Sequence, residues 1–357
     1  MERHTLFITG AAGYVGAMLC EQFSKRHDVE KIIALDTESQ PELLQENEKI
    51  VWITTTLGLQ DGWKQTVSTY SPDIVIHTAW QIREMYGRQD VQWQMNVGGS
   101  EDIFAFVFSH DCVKRLIHFS TASIYGAFKD NTIEHRFRED ESMREETYLY
   151  GVEKREVEER LQERWVNERR SDLKVYIVRP AAITGPRGRF ARLRFGLQSA
   201  LSGQLKDSDS FAYRIISKLV SVVPITKGWC RQFVHEDDVV DVTALLAFGT
   251  VSGEYEAFNL TPPGAVVRGN DMAEAVGKKR IMVPPRLLQF AYFFAWHLSR
   301  GKIPTSRGGW KFYSYPVVMD GTKVTNMLGH HYRCESKEAF TSTEGRYEHV
   351  APPELRN

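Results

Sequence analysis

The segment Thr9–Gly16, TGAAGYVG, places glycines at positions 10, 13 and 16 directly after a short apolar run, Thr5–Thr9, and at the opening of an amphipathic stretch, Gly16–His27. Strand, glycine turn and helix in that order leave little freedom of fold. Glycine permits the tight turn and lets backbone N–H groups approach a pyrophosphate, whose charge the positive end of the following helix stabilises. Asp36 closes the next apolar run, Lys31–Leu35, twenty residues beyond Gly16. A carboxylate there accepts hydrogen bonds from the ribose 2′- and 3′-hydroxyls and repels a 2′-phosphate. The pattern predicts a dinucleotide site that takes NAD in preference to NADP.

Further apolar runs at Ile50–Ile53, Asp73–His77, Arg115–Ser120 and Lys174–Arg179 alternate with helical stretches at Val91–His110 and Tyr148–Arg169. That alternation predicts an α/β fold built on a Rossmann-type doubly wound parallel sheet. With 357 residues the chain exceeds one typical core. After Pro180 the alternation stops, and Arg, Gly, Ser and Asp become frequent. Residues 1–180 and 231–260 are accordingly assigned to the NAD-binding domain, and 181–230 with 261–357 to a smaller, discontinuous C-terminal substrate lobe. The apolar periodicity of Arg231–Phe248 is read as a return to the main sheet.

Lys plus Arg (45) balance Asp plus Glu (46), so the chain as a whole has no pull on nucleic acid or an anionic membrane, and any basic feature must be local. Cys20, Cys112, Cys230 and Cys334 lie far apart, matching neither a metal-ligand spacing nor a disulfide framework. A reducing cytoplasm and no metal are expected. The greasiest stretch, Leu287–Leu298, is too short to span a bilayer and contains Gln289 and His297, so a soluble protein without a targeting segment is expected. The run IFAFVF, Ile103–Phe108, is apolar on more than one side of its helix. A homodimer packing on that helix is expected, the alternative being burial within one subunit.

Tyr150 and Lys154 form a Y-x-x-x-K pair one helical turn apart, on the same face as Val157, Leu161 and Trp165. A free phenol is a poor base at neutral pH, but a nearby ammonium and an oxidised nicotinamide favour the phenolate and lower its pKa. The preceding strand ends in FSTASIYG, Phe119–Gly126, with hydroxyls at Ser120, Thr121 and Ser123. A hydroxyl beside the phenol can hold a substrate's reacting oxygen and share its proton.

Taken together the chain resembles the extended short-chain dehydrogenase/reductase family, of the NAD-dependent epimerase/dehydratase type. The resemblance runs from Thr5 to about Gly329 and rests on TGAAGYVG, Asp36, HTAW (77–80), NVGGS (96–100), FSTASIYG, YGVEK (150–154), RPAAITGP (179–186) and RQFVHEDD (231–238). It implies Tyr150 as general acid/base, Lys154 as its electrostatic partner and nicotinamide-ribose ligand, and Thr121 as the catalytic hydroxyl. It further implies cofactor contacts from Gly10, Gly13, Tyr14, Val15, Gly16, Asp36, Thr56, Ala79, Asn96 and Pro180, and substrate contacts from Ser123, Arg187 and Arg231.

Departures from the family pattern narrow the chemistry. Sugar-nucleotide 4,6-dehydratases carry Asp-Glu after the catalytic threonine; Ala122 and Ser123 stand here, so dehydration is not expected. Ala182 replaces the asparagine that contacts a substrate diphosphate, Thr56 the acid near adenine, and Trp80 an alanine close to the cofactor. Against the loss at 182, Arg187, Arg189, Arg192, Arg194 and Arg231 leave an anionic small-molecule substrate open, with a solvated basic loop as the alternative. Phe290, Tyr292, Phe293, Phe294 and Trp296 are expected in the core of the small lobe or, as the alternative, in an apolar pocket. The expected function is hydride transfer at a secondary carbinol or ketone of a sugar or nucleotide-sugar, by epimerisation or oxidation. Two rivals remain: a hydroxysteroid-dehydrogenase-like or ketone-reductase-like enzyme for a hydrophobic substrate, and a non-catalytic NAD sensor.

Overall fold

The computed structural model describes residues 3–191, 222–275, 277 and 279–351. Seven parallel strands form the central sheet: β1 (His4–Thr9), β2 (Val29–Asp36), β3 (Ile50–Thr54), β4 (Ile74–His77), β5 (Arg115–Phe119), β6 (Lys174–Pro180) and β7 (Tyr255–Leu260). Their spatial order is β7-β6-β5-β4-β1-β2-β3. The order reverses direction between β1 and β4, which opens a crevice at the carboxyl ends of those strands.

The strands read as unbroken apolar runs because both faces of the sheet are covered. Along β1, Leu6 and Ile8 enter one core while Phe7 enters the other. The first core is closed by α1 (Tyr14–Ser24), through Met18, Leu19 and Phe23. The second is closed by α2 (Trp63–Ser68), α3 (Gly99–Ser109) and α4 (Leu149–Asn167), through Trp63, Phe104, Val107, Val157, Leu161 and Trp165. A π-helical turn, Gln94–Gly98, links the short helix Gln89–Trp93 to α3, so the expected single helix is broken where Asn96 stands.

Two expectations change. The segment Arg231–Phe248 does not enter the main sheet: Cys230–Arg231 and Phe233–His235 pair with short strands at Val267–Arg268 and Ala182–Thr184. Its periodicity belongs to α5 (Glu236–Phe248), which packs Val239, Val240 and Leu246 on the first core, and β7 supplies the strand that joins the sheet. Ile103, Phe104, Phe106, Val107 and Phe108 are all buried inside the subunit, so the dimer expectation loses its footing on that helix.

The acids of RQFVHEDD fasten the C-terminal segment. Asp238 accepts from His330 Nε2 at 3.0 Å and from the Arg333 backbone at 3.1 Å, and Asp237 pairs with Arg333 at 3.2 Å. The four cysteines are unpaired. Among the described residues no helix is long and apolar enough to cross a membrane.

Candidate active site

One cavity of about 820 Å³ runs along the carboxyl ends of the strands, from the glycine turn to the region around Arg231. That volume lies within the range of sites for cofactor and drug-sized ligands. At the nucleotide end Gly10, Gly13, Tyr14, Val15, Gly16, Asp36 and Thr56 line it. Gly10 has φ +70°, and a Cβ there would lie 2.6 Å from the backbone N of Ala79, so the turn and the HTAW segment demand glycine. The Asp36 carboxylate accepts from the Ala12 backbone at 2.8 Å and the Glu38 backbone at 3.0 Å. Thr37, Glu38, Thr55 and Leu57 complete the wall beside Asp36, where no Lys or Arg stands among the described residues, which suits a ribose diol and opposes a 2′-phosphate.

Tyr14 shows how the turn is held. Its hydroxyl donates to Glu236, whose carboxylate also accepts from the backbones of Arg187 and Gly188 at 3.0 Å each. Glu236, fully buried, thus ties the glycine turn to the segment after Thr184. Sequence reasoning singled out its motif but not this role, because the contact spans more than two hundred residues.

In the middle of the cavity stand Thr121, Ser123, Tyr150, Lys154, Ala79, Trp80, Asn96 and Pro180. The Tyr150 hydroxyl lies near that of Thr121, whose Oγ1 accepts from the Ser123 backbone at 3.2 Å. Asn96 holds the Gln81 backbone at both ends, 2.8 Å and 3.0 Å, and donates to Glu153 at 2.7 Å. Burial pushes the Glu153 carboxyl up to about 7, with its Asn96 and Gln92 partners opposing the shift.

Lys154 departs from expectation. Its Nζ donates to the Phe119 carbonyl and lies 3.5 Å from the centre of the Trp80 ring, a cation–π contact. The Tyr150 phenol is consequently not lowered. Burial raises its pKa, and only the nearby Thr121 hydroxyl opposes that. Burial also drives the Lys154 ammonium down to about 7, the carboxylates Glu158 and Glu153 opposing.

A pH effect follows. The unfolded chain keeps the lysine proton up to its ordinary 10.5, whereas the folded chain releases it near 7. Between those values the unfolded state binds more protons, so this group makes the fold more stable as pH rises, on the order of 1 kcal/mol per pH unit. In melts from pH 7 to 9 with no cofactor added, wild type should gain on Lys154→Met steadily. A constant difference between them would show that the amine is not desolvated.

At the far end the cavity is aromatic and cationic. The Arg231 side chain has no hydrogen bond or carboxylate partner among the described residues, and its guanidinium lies 5.4 Å from the Tyr313 ring centre. Tyr148, Tyr292, Phe312 and Tyr313 line the wall around it. Tyr148 begins two residues before Tyr150, where the helix cap turns its ring to within 5.8 Å of that of Tyr150. Nothing in the sequence marked Tyr148 or Tyr313.

Arg187 is a correction. Its side chain points away from the cavity, 3.5 Å from Glu21 and over the Tyr347 ring at 5.2 Å. Arg189 lines the cavity instead, donating to the carbonyls of Phe340 and Thr341. Arg192 and Arg194 lie outside the described residues. Of the C-terminal aromatics Tyr292 and Trp296 are buried, while Phe290, Phe293 and Phe294 are exposed, neither core nor pocket. Of these five, Tyr292 lines the cavity, as the apolar-pocket alternative has it.

The sequence profile of the NAD dependent epimerase/dehydratase family matches residues 6–260. An Escherichia coli O157:H7 protein, N-acetyl-alpha-D-glucosaminyl-diphospho-ditrans,octacis-undecaprenol 4-epimerase, is 25% identical over 185 residues, 52% of this chain and 50% of that one. Among solved structures, the Bordetella bronchiseptica enzyme WbmG in complex with NAD and UDP superposes with a TM-score of 0.67 at 21% identity, over 95% of this chain and 93% of that one. UDP-glucose 4-epimerase of Thermotoga maritima with UDP-glucose gives 0.67 at 20% identity, over 94% and 96%.

Proposed function

The chain belongs to the NAD dependent epimerase/dehydratase family, and on that premise we propose that it is an NAD-dependent epimerase acting at a secondary carbinol of a sugar linked to a diphosphate. The observation that carries this reading is the continuity of one cavity from Asp36, through Tyr150, to the Arg231 guanidinium, which has no partner among the described residues. A diphosphate bridging sugar and carrier satisfies such a guanidinium bidentately. The UDP and UDP-glucose bound by the two structural relatives, and the diphospho-linked substrate named for the E. coli relative, share that chemistry. Residues 181–230 and 261–357 are read as the lobe that holds the substrate.

Gly10, Gly13 and Gly16 give the pyrophosphate its close approach, and Asp36 takes the adenine-side ribose. NAD held there would supply the hydride acceptor and donor for the carbinol carbon. Tyr150 takes the hydroxyl proton as the carbon is oxidised and gives it back on reduction, with Thr121 bonded to the phenol and to the reacting oxygen. Lys154, held by the Phe119 carbonyl and the Trp80 ring one turn along the helix, is placed to hold the nicotinamide ribose. Ala122 and Ser123 offer no acid for eliminating water, which sets dehydration aside.

A thermal-shift panel of UDP-, GDP- and dTDP-sugars tests the substrate class, and stabilisation by none of them overturns the nucleotide-sugar form of the reading. With a hit in hand, epimerisation requires the isomer to appear by NMR without accumulation of NADH at 340 nm. For the cofactor, Asp36→Ala should weaken NAD by about tenfold or more, as expected for a lost charged hydrogen bond. It should narrow the preference over NADP, and fluorescence titration of both nucleotides reads the ratio.

A further inference from the structure

The helix α6 (Pro285–Leu298) buries a narrow stripe, Leu288, Tyr292 and Trp296, spaced four residues apart. Its opposite face carries Leu287, Phe290, Phe293, Phe294 and Leu298, exposed by 56, 61, 57, 56 and 83%. Ile281 and Met282, in the strand just before it, are each 47% exposed and extend the apolar surface. Single exposed apolar residues are ordinary, but large side chains gathered on one helix face mark an interaction surface.

The surrounding charge indicates what covers it. From Ala275 to Met319 the chain has no Asp or Glu and eight Lys or Arg, although its net charge is −1. Arg280, Arg286, Arg300 and Arg307 are exposed and form no ion pair among the described residues. An apolar helix face rimmed by uncompensated cations matches an anionic lipid surface. A second copy of the chain docking face to face would bring two cationic rims together. At 14 residues the helix cannot span a bilayer.

We propose that the outer face of α6 docks the protein on an anionic phospholipid bilayer, the helix lying in the headgroup plane with Phe290, Phe293 and Phe294 inserted and Arg286 and Arg300 on lipid phosphates. Tyr292, on the inner face of the same helix, lines the active-site cavity. Docking therefore holds that cavity about one helix diameter, roughly 10 Å, from the lipid. The inference stands on the helix and its charge, independent of the reaction assigned above.

The test is co-sedimentation of the full chain with vesicles of phosphatidylcholine alone or with about 30% phosphatidylglycerol. Binding to the anionic vesicles is expected to exceed binding to neutral ones at least tenfold and to fall in about 0.5 M salt. The double variant Phe290→Glu/Phe294→Glu should lose it at least tenfold, while its melting temperature and NAD affinity, which control for folding, stay at wild-type values. Arg286→Glu/Arg300→Glu should weaken it as well. Equal binding to both vesicle types, or no loss in the folded phenylalanine variant, overturns the proposal. So does a dimer, seen by light scattering, that the same variant dissolves while neither vesicle is bound; a second copy then covers the face.

Discussion

On the proposed reaction, Tyr150→Phe should reduce turnover by roughly 10²–10⁴-fold, the usual contribution of a positioned proton-transfer group. NAD affinity should stay near the wild-type value. The phenol lies near Thr121 and beside Trp80, at a centroid distance of 6.5 Å, so removing one oxygen leaves the wall of the cavity in place. The rate should fall in kcat, because the lost proton transfer belongs to the transition state and not to ground-state binding. Steady-state kinetics on a sugar that turns over, beside fluorescence titration of NAD, separates these effects. Undiminished kcat in the variant would remove Tyr150 from its assigned role and require another group to move the proton.

The second large effect is on stability. Arg179, at the end of β6, meets Glu158 of α4 through three contacts of 2.6 to 3.2 Å, with side chains only 6% and 2% exposed. The guanidinium also donates to Tyr125 Oη at 2.9 Å and to the Glu139 carbonyl at 3.0 Å. Glu158→Ala leaves this cation buried without its counter-charge and should cost roughly 3–5 kcal/mol, read as a lowered midpoint in urea unfolding. Because desolvation offsets much of a buried pair's attraction, Glu158→Leu with Arg179→Met should recover most of that loss. If the double variant is no more stable than Glu158→Ala, the ion pair itself stabilises the fold and the offset argument fails.

Local patterns made the sheet legible. Runs such as Lys31–Leu35 and Arg115–Ser120 lie within a residue or two of β2 and β5, since strands buried on both faces leave long apolar stretches between turns. Asp36 and the Tyr150–Lys154 pair line the cavity for a similar reason: each needs only its position at a strand end or on one helix face. Directions of long side chains were not legible. Arg187 turns to Glu21 and Tyr347, and Lys154, inside the cavity, turns to Trp80 and not to the Tyr150 phenol, because partners remote in sequence offer the better contacts. The aromatic stretch of α6 reads as core by composition, yet one stripe of a helix needs only three residues to seat it, and the rest of its apolar side faces outward.

The seventh strand has a bearing on how the chain assembles. β7 pairs with β6 in register from Tyr255↔Val175 to Leu260↔Pro180, across the whole of residues 181–254. During synthesis the ribosome completes β6 long before its neighbour exists, so the nascent sheet carries an open edge of unpaired N–H and C=O groups until residue 260 has emerged. Closing so long a loop is slow relative to forming the earlier crossovers. A fragment ending at Pro180 keeps that edge permanently and is a template for intermolecular strand pairing. The cofactor half is thus a unit of architecture without being a unit of folding.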